Sequence, residues 1–476
     1  MNPLSRIVVV AVALTALFAG SASAQPTTLP AEAPVVPPSS LPQRVQSLAG
    51  FAVLMGVAWG VGRVRGNRRL PARRLLAWGI LLQFLFGAIV VWNRAFLTAI
   101  NATIDALLGF TRAGAGMVFG NLIQNNVPVG AATGYPAMDP ILPSGSWANI
   151  GAYFAFFVLP TIVFFACLTA VLYHIGIMQY IVQGLAWIMS KSMGTSGAET
   201  LSSAANIFVG QTEAPLMVKP FLAAATSSEL MAIMVGGFAN IASGVWGLYT
   251  IWLSPYVRDA AGHLAAACFI TAPGALLVSK LMSPETETPV TSGGVEFKVE
   301  RIDANLVDAA TRGTTEGVAL AINVGAMLIT FTALVALVNA LMGWAGVKLG
   351  LGPITLEQIL GWIFRPFAWL VGVNWHESGK VGSLLGIKTV LNELIAYSKM
   401  KDSFAADPHF LSPRAALLAT YALCGFANFA SVGIQVGGIS ALAPTRRHDL
   451  SRIGITAMVG GAIASMMAAC VVGVLI

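Results

Sequence analysis

Apolar runs long enough to cross a bilayer core, which takes about 20 residues at ~1.5 Å of rise each, recur along this chain between short polar segments. Val45–Gly62, Leu75–Trp92, Ala152–His174, Glu229–Leu253, Leu264–Leu281, Gly317–Leu341, Ala415–Leu442 and Ile453–Ile476 each read as a span. Phe96–Leu122 is less apolar, mixing Asn101, Asp105 and Arg112 with glycines, and predicts an interfacial helix. Ile175–Ser190 predicts a helix lying obliquely along the bundle, and Ser283–Thr315 a soluble connection.

Two segments fit none of these descriptions. Leu201–Phe221 is too polar and too interrupted for a spanning helix, and Leu356–Met400 consists of short apolar pieces broken by Pro366, Gly372, Gly379, Gly382 and Gly386. Both predict re-entrant hairpins. The first contains NIFVGQTEAPLMVKP from Asn206 to Pro220, and the second ends at Asn392-Glu393. Proline and glycine leave backbone groups that only neighbouring protein, an ion or a substrate can satisfy in hydrocarbon. Glu213 and Glu393 need a partner or a water-filled cavity for the same reason, since an unpartnered charge at mid-membrane costs about 3 kcal/mol or more.

The chain also repeats itself. GFANIAS at 237–243 and GFANFAS at 425–431 differ only at Ile241 against Phe429, and each copy follows a broken, glutamate-bearing hairpin. Small residues alone could reflect close helix packing, but that does not account for Glu213, Glu393, Asn240 and Asn428 together. Paired broken segments in two halves point to a transporter site at mid-membrane. The expected fold is therefore an all-α polytopic membrane protein with about eight transmembrane helices and two hairpins in an inverted repeat.

Composition agrees: 56% of the 476 residues are hydrophobic and 10% charged, against about 25% charged in soluble domains. The net charge of +7 does not argue for nucleic acid, because the arginines sit in short loops. Arg63, Arg65, Arg68, Arg69, Arg73 and Arg74 place their loop in the cytoplasm, as do Arg446, Arg447 and Arg452, while Gln124–Gly151 has no Lys or Arg and suits the external face. Residues 1–24 resemble a secretory signal, with Arg6, an apolar run and Ala22-Ser23-Ala24, and residues 25–44 form a proline-rich extracytoplasmic tail. Cys167, Cys268, Cys424 and Cys470 lie in apolar segments without metal or disulfide spacing. No nucleophile–base pair or phosphate loop suggests an enzyme. A passive channel stays open, distinguished by flux without accumulation.

GQTEAPLMVKP (Gly210–Pro220), LLGIKTVLNELIAY (Leu384–Tyr397) and GFANFASVGIQVGGI (Gly425–Ile439) resemble the concentrative nucleoside transporter family, and the similarity extends from about Val45 to the end of the chain. The resemblance implies secondary active nucleoside uptake across the bacterial cytoplasmic (inner) membrane, driven by sodium or protons. It implies a homotrimer in which each subunit has a scaffold part, at 45–195 and 317–345, and a moving transport part, at 196–282 and 350–476, with 283–316 as cytoplasmic connection. It implies that Gln211, Thr212 and Glu213 meet the nucleobase with Val245 packed against it, and that Glu393, Asn428 and Ser431 hold the ribose with Phe426 lining the pocket. No cofactor is implied beyond the coupling ion. For sodium the implied ligands are Asn206, Val209, Asn240 and Ile241, with hard oxygens for a hard cation. Family members often carry a hydroxyl where this chain has Asn240, so a proton carried by Glu213 or Glu393 is the alternative.

Overall fold

The structure is a computed structural model that describes residues 33–67, 69–124, 126–129, 146–149, 154–292, 303–350 and 352–476. The signal-like segment 1–24 lies outside them. Among the described residues eight helices are long and apolar enough to cross a membrane. The elements are α1 (Leu41–Val64), α2 (Arg73–Trp92), α3 (Arg94–Phe119), α4 (Leu159–Ile175), α5 (Ile177–Met193), α6 (Gly197–Ala205), α7 (Lys219–Leu222), α8 (Ser227–Ala239) and α9 (Ser243–Leu253). They continue with α10 (Ala260–Met282), α11 (Leu306–Lys348), α12 (Leu356–Val371), α13 (Trp375–Val390), α14 (Glu393–Ala406), α15 (Pro413–Leu423), α16 (Phe429–Leu442) and α17 (Arg447–Leu475). A short antiparallel pair, β1 (Asn126–Val129) and β2 (Ser146–Asn149), is an addition to the all-α expectation and pairs Asn126 with Asn149.

Burial orders the bundle. The most apolar stretch of α10 is 94% buried and that of α17 78%, whereas that of α11 is 17% buried. Together with α8 and α9, whose most apolar stretch is 88% buried, the first two form the centre. The long α11 lies against α4 and leaves Ile322, Ile329, Leu337, Leu341 and Trp344 bare, a surface fit for lipid or another protein.

Several boundaries differ from the sequence expectation. α1 begins at Leu41, because Ser40 and Gln43 form a capping box that starts the helix inside the proline-rich tail. The segment expected to be interfacial forms a helical stretch, Ala95–Ile123, that is long and apolar enough to span. α11 starts at Leu306, so the expected connection is shorter, and Asn305 caps the helix by accepting from Asp308 N. Ala415–Leu442 is not one span but two half-helices, α15 and α16.

The second interrupted segment also resolves differently. Only Gly372, with φ +111°, ends a helix; Pro366, Gly379, Gly382 and Gly386 lie within helices. α12 and α13 pack closely antiparallel, and a Cβ on Gly382 would stand 2.7 Å from Arg365 N and 2.9 Å from Gly361 O. Gly382 thus permits backbone contact, and Gly386 makes room for the Leu360 side chain, whose Cβ would lie 2.5 Å from an added Cβ. The true hairpin is α13 and α14, reversing at Leu391-Asn392.

The two hairpins enter from opposite ends. At the arginine-rich end Asn67 Nδ2 donates to Met282 O at 2.9 Å, Arg74 Nε to Ser192 O at 2.8 Å and Arg446 Nη1 to Ala225 O at 2.6 Å. The base of the α6–α7 hairpin is fixed there. At the other end Arg414 Nη2 donates to Gly473 O at 3.0 Å and to Ser47 Oγ at 3.2 Å, and Ser412 Oγ donates to Glu377 Oε2 at 2.9 Å. Those contacts hold the base of the α13–α14 hairpin.

Candidate substrate and ion site

Four interruptions meet at mid-bundle. α8 stops at Ala239 and Asn240 turns extended (φ −116°, ψ 162°) before α9 resumes. α15 stops at Leu423, Gly425 takes φ +142°, and Asn428 (φ −142°, ψ 163°) caps α16 by accepting from Ser431 N at 2.9 Å. Asn428 is an N-cap by residue type as well as geometry. Gly425 lies so close to α8 that a Cβ there would stand 2.7 Å from Ala239 O. The remaining two interruptions are the hairpin reversals. The first is more open than a helical hairpin, because after α6 the chain runs as turns to Glu213 and returns by a 3₁₀ segment, Ala214–Val218, and the single turn of α7.

One hydrogen-bonded chain crosses this centre. Tyr249 OH donates to Glu393 Oε1 at 3.0 Å, and Asn428 Nδ2 donates to Glu393 Oε2 at 3.2 Å. Asn428 Oδ1 holds Ser431 N, Gln211 Nε2 donates to Ser431 Oγ at 3.2 Å, and Gln435 Nε2 donates to Gln211 Oε1 at 3.1 Å. Gln211, Glu393, Asn428 and Ser431 are thereby brought together, all buried. Glu393 is N1 of α14, where the helix dipole favours its charge.

The other expected residues stand around this chain. Thr212 faces α16, its Cγ2 3.0 Å from where a Cβ on Gly438 would be. Glu213 is not in the chain: its carboxylate accepts from Gly210 N and lies within electrostatic reach of Tyr173, Arg312 and Glu316. Among the described residues it forms no ion pair with Lys219. Val245 is buried on α9 one turn before Tyr249, and Phe426 packs at the edge of the core.

At the expected ion ligands, Asn206 Nδ2 donates to Ser202 O at 2.9 Å, and its Oδ1 accepts no hydrogen bond among the described residues. Asn206 and Asn240 converge on Gly236: a Cβ there would lie 3.3 Å from Asn206 Nδ2, and Asn240 Nδ2 approaches Gly236 O at 3.5 Å. The carbonyls of Val209 and Ile241 receive no hydrogen bond among the described residues. Asn240 Oδ1 accepts from Thr271, so that oxygen is partly committed. The donor set fits a hard cation, with Asn240 its least available member. Among the described residues no cluster of three or more His, Cys, Asp or Glu side chains could hold a transition metal.

Sequence reasoning missed Tyr249 and Gln435. Tyr249 follows Val245 by four residues and Gln435 follows Ser431 by four, one helical turn along the same face in each case. That spacing could have found both. Gln435 is fully buried and its Oε1 has no partner among the described residues.

Hairpins from opposite ends, two helices broken at mid-depth, and carboxamides and a carboxylate converging there define a carrier of the broken-helix class. Models of the Na+ dependent nucleoside transporter N-terminus and C-terminus match residues 49–122 and 263–473, and a nucleoside-recognition model matches 155–255. The transporter YutK of Bacillus subtilis (strain 168) is 38% identical over 434 residues, covering 90% of this chain and 98% of its own. Sodium/nucleoside cotransporter 1 of Rattus norvegicus is 37% identical over 91% of this chain; the chain spans 64% of that relative and 56% of solute carrier family 28 member 3 of Eptatretus stoutii. The solved structure of CNTnw in an inward-facing substrate-bound state has a TM-score of 0.79 at 38% identity, covering 91% of this chain and 98% of that one. A CNTnw variant in an outward-facing state has a TM-score of 0.80. The chain belongs to the concentrative nucleoside transporter family. It is a multi-pass membrane protein whose relatives are transporters, not enzymes.

Proposed function

We propose that the protein is a sodium-driven symporter that imports nucleosides across the cytoplasmic membrane by alternating access. The observation that carries this reading is the hydrogen-bonded chain from Gln435 through Gln211, Ser431 and Asn428 to Glu393, which joins the two hairpin tips through the second broken helix. In it, Glu393, Asn428 and Ser431 hold the ribose hydroxyls, while Gln211, Thr212 and Glu213 meet the base with Val245 and Phe426 beside it. A carboxylate and carboxamides match paired hydroxyls and amide-like base edges. A solute lacking those groups leaves them buried and unpaired, which rejects it.

Sodium binds Asn206, Val209, Asn240 and Ile241. In support, the orphan carbonyls of Gly237, Phe238 and Ala239 at the C-terminus of α8 accept no hydrogen bond among the described residues, and a half-helix C-terminus favours a cation. Proton coupling is a second reading, supported by Glu213, whose carboxylate accepts among the described residues from Gly210 N–H alone and stands within electrostatic reach of Tyr173, a hydroxyl without a partner among those residues. The transport domain is 196–282 with 350–476, the scaffold 45–195 with 317–345, and the bare face of α11 serves a homotrimer and its lipid.

The test is uptake of labelled uridine into proteoliposomes under an inward sodium gradient, a proton gradient, or neither. Accumulation with sodium alone supports the proposal. Accumulation with protons alone moves coupling to a carboxylate, and no saturable flux removes nucleosides as substrates.

A further inference from the structure

Lys388 is 2% exposed, near the end of α13 and five residues before Glu393. A buried ammonium in an apolar bundle needs compensation. Its Nζ donates to Ala422 O at 2.9 Å and to Ser465 Oγ at 2.9 Å, and Glu393 lies within its electrostatic reach. Ala422 is in the last turn of α15, the half-helix that stops at the second break. Helix ends leave about four carbonyls without intrahelical donors. Here Thr420 O accepts from Tyr397 OH at 2.7 Å, Tyr421 O from Cys424 N at 3.2 Å, and Ala422 O from Lys388. Both arms of the second hairpin thus cap the half-helix C-terminus, one of them with a positive charge.

Among the described residues the first half of the repeat has no such cation. α8 ends in the matching GFAN sequence, the carbonyls of Gly237, Phe238 and Ala239 accept no hydrogen bond among the described residues, and the side chains that approach its last turns are the neutral carboxamides of Asn206, Asn240 and Gln435, the last donating to Met234 O at 3.3 Å. We infer that Lys388 is a tethered cation that does permanently for the second hairpin what the exchangeable coupling cation does for the first: it locks the hairpin onto the C-terminus of its broken helix. The second hairpin, with Glu393, then stays assembled through the cycle, and ion binding organises only the first. Lys388 is on this account a positioning residue, acting on substrate through Glu393. The comparison rests on the sodium site proposed above.

The experiment is amide hydrogen exchange of the full chain in lipid nanodiscs, in sodium chloride or choline chloride at equal ionic strength. In the wild type, sodium is expected to slow exchange at 205–213 and not at 387–395. Lys388→Met is expected to speed exchange at 387–395 about tenfold in either salt. Lys388→Arg keeps the charge and is expected to protect as the wild type does, whereas Lys388→Gln keeps a donor without the charge and is expected to resemble Lys388→Met. Sodium protection of both hairpins alike, or wild-type protection in Lys388→Gln, overturns the proposal, and these two comparisons stand even if Lys388→Met fails to fold. Uridine uptake measured in parallel separates the cases: absent uptake with the asymmetric sodium effect intact removes the nucleoside reading alone.

Discussion

Tyr249 OH donates to Glu393 Oε1 at 3.0 Å, linking the first broken helix to the second hairpin across 144 residues of sequence. The same ring lies 4.5 Å from that of Tyr397 on α14, tilted by 37°, so its position is fixed by ring packing as well as by the hydrogen bond. Tyr249→Phe removes only the hydroxyl. A hydrogen bond to a buried charge contributes about 1.5–3 kcal/mol, so the uridine KM is expected to rise on the order of tenfold or more. Vmax should stay near wild type. An unchanged KM would show that Tyr249 does not orient the carboxylate.

Glu393→Gln keeps the shape of the side chain and converts one acceptor oxygen into a donor. With the amide oxygen turned to Asn428 Nδ2, the new NH₂ faces Tyr249 OH, which must then accept instead of donate, and the negative charge that draws both donors is lost. Recognition of the ribose is expected to weaken more than recognition of the base. Competition by uridine analogues altered at ribose or at base measures this; equal losses in the two series would sink the division of labour between the hairpins.

Most spans were legible because their signal is local, in apolar length and the arginines of the loops, whereas Ala415–Leu442 resolved into two half-helices and Phe96–Leu122 into a stretch able to cross. The candidate site was legible because it breaks those local rules, with Glu213, Glu393 and the two GFAN sequences standing where hydrocarbon forbids them. What could not be read is set by contacts distant in sequence. Gly382 and Gly386 look like helix breakers, yet they are sites where α12 and α13 touch, and only the partner helix reveals it. Tyr249 and Lys388 look like an ordinary aromatic and an ordinary lysine until Glu393 and the end of α15 are placed beside them. Glu213, singled out most strongly by the sequence, proves to stand apart from the hydrogen-bonded chain.

The glycine contact makes its own prediction. A Cβ at Gly382 would press on Arg365 N and Gly361 O, both backbone atoms that cannot swing away as a side chain can. Gly382→Val is expected to destabilise by about 1–3 kcal/mol, the usual range for overpacking. Thermal denaturation followed by size-exclusion chromatography should show a lower Tm, while Gly379→Ala, with open space at its Cβ, should not.

Asn206 caps the end of α6 beside Gly236 of α8, and its Nδ2 is anchored on Ser202 O, so Oδ1 is the atom it has for an ion. Asn206→Ala removes one oxygen ligand and leaves the carbonyls of Val209 and Ile241 in place. Sodium binding should weaken without vanishing, and the sodium concentration for half-maximal uridine uptake is expected to rise on the order of tenfold, as for the loss of one charge-assisted contact. The uridine KM at saturating sodium should change far less, because Gln211, Ser431 and Glu393 are untouched. Uptake titrated with sodium at fixed uridine, and with uridine at saturating sodium, separates the two effects. An unchanged sodium dependence would remove Asn206 from the ion site and leave the α8 terminus to be satisfied by water or by a proton-carrying group instead.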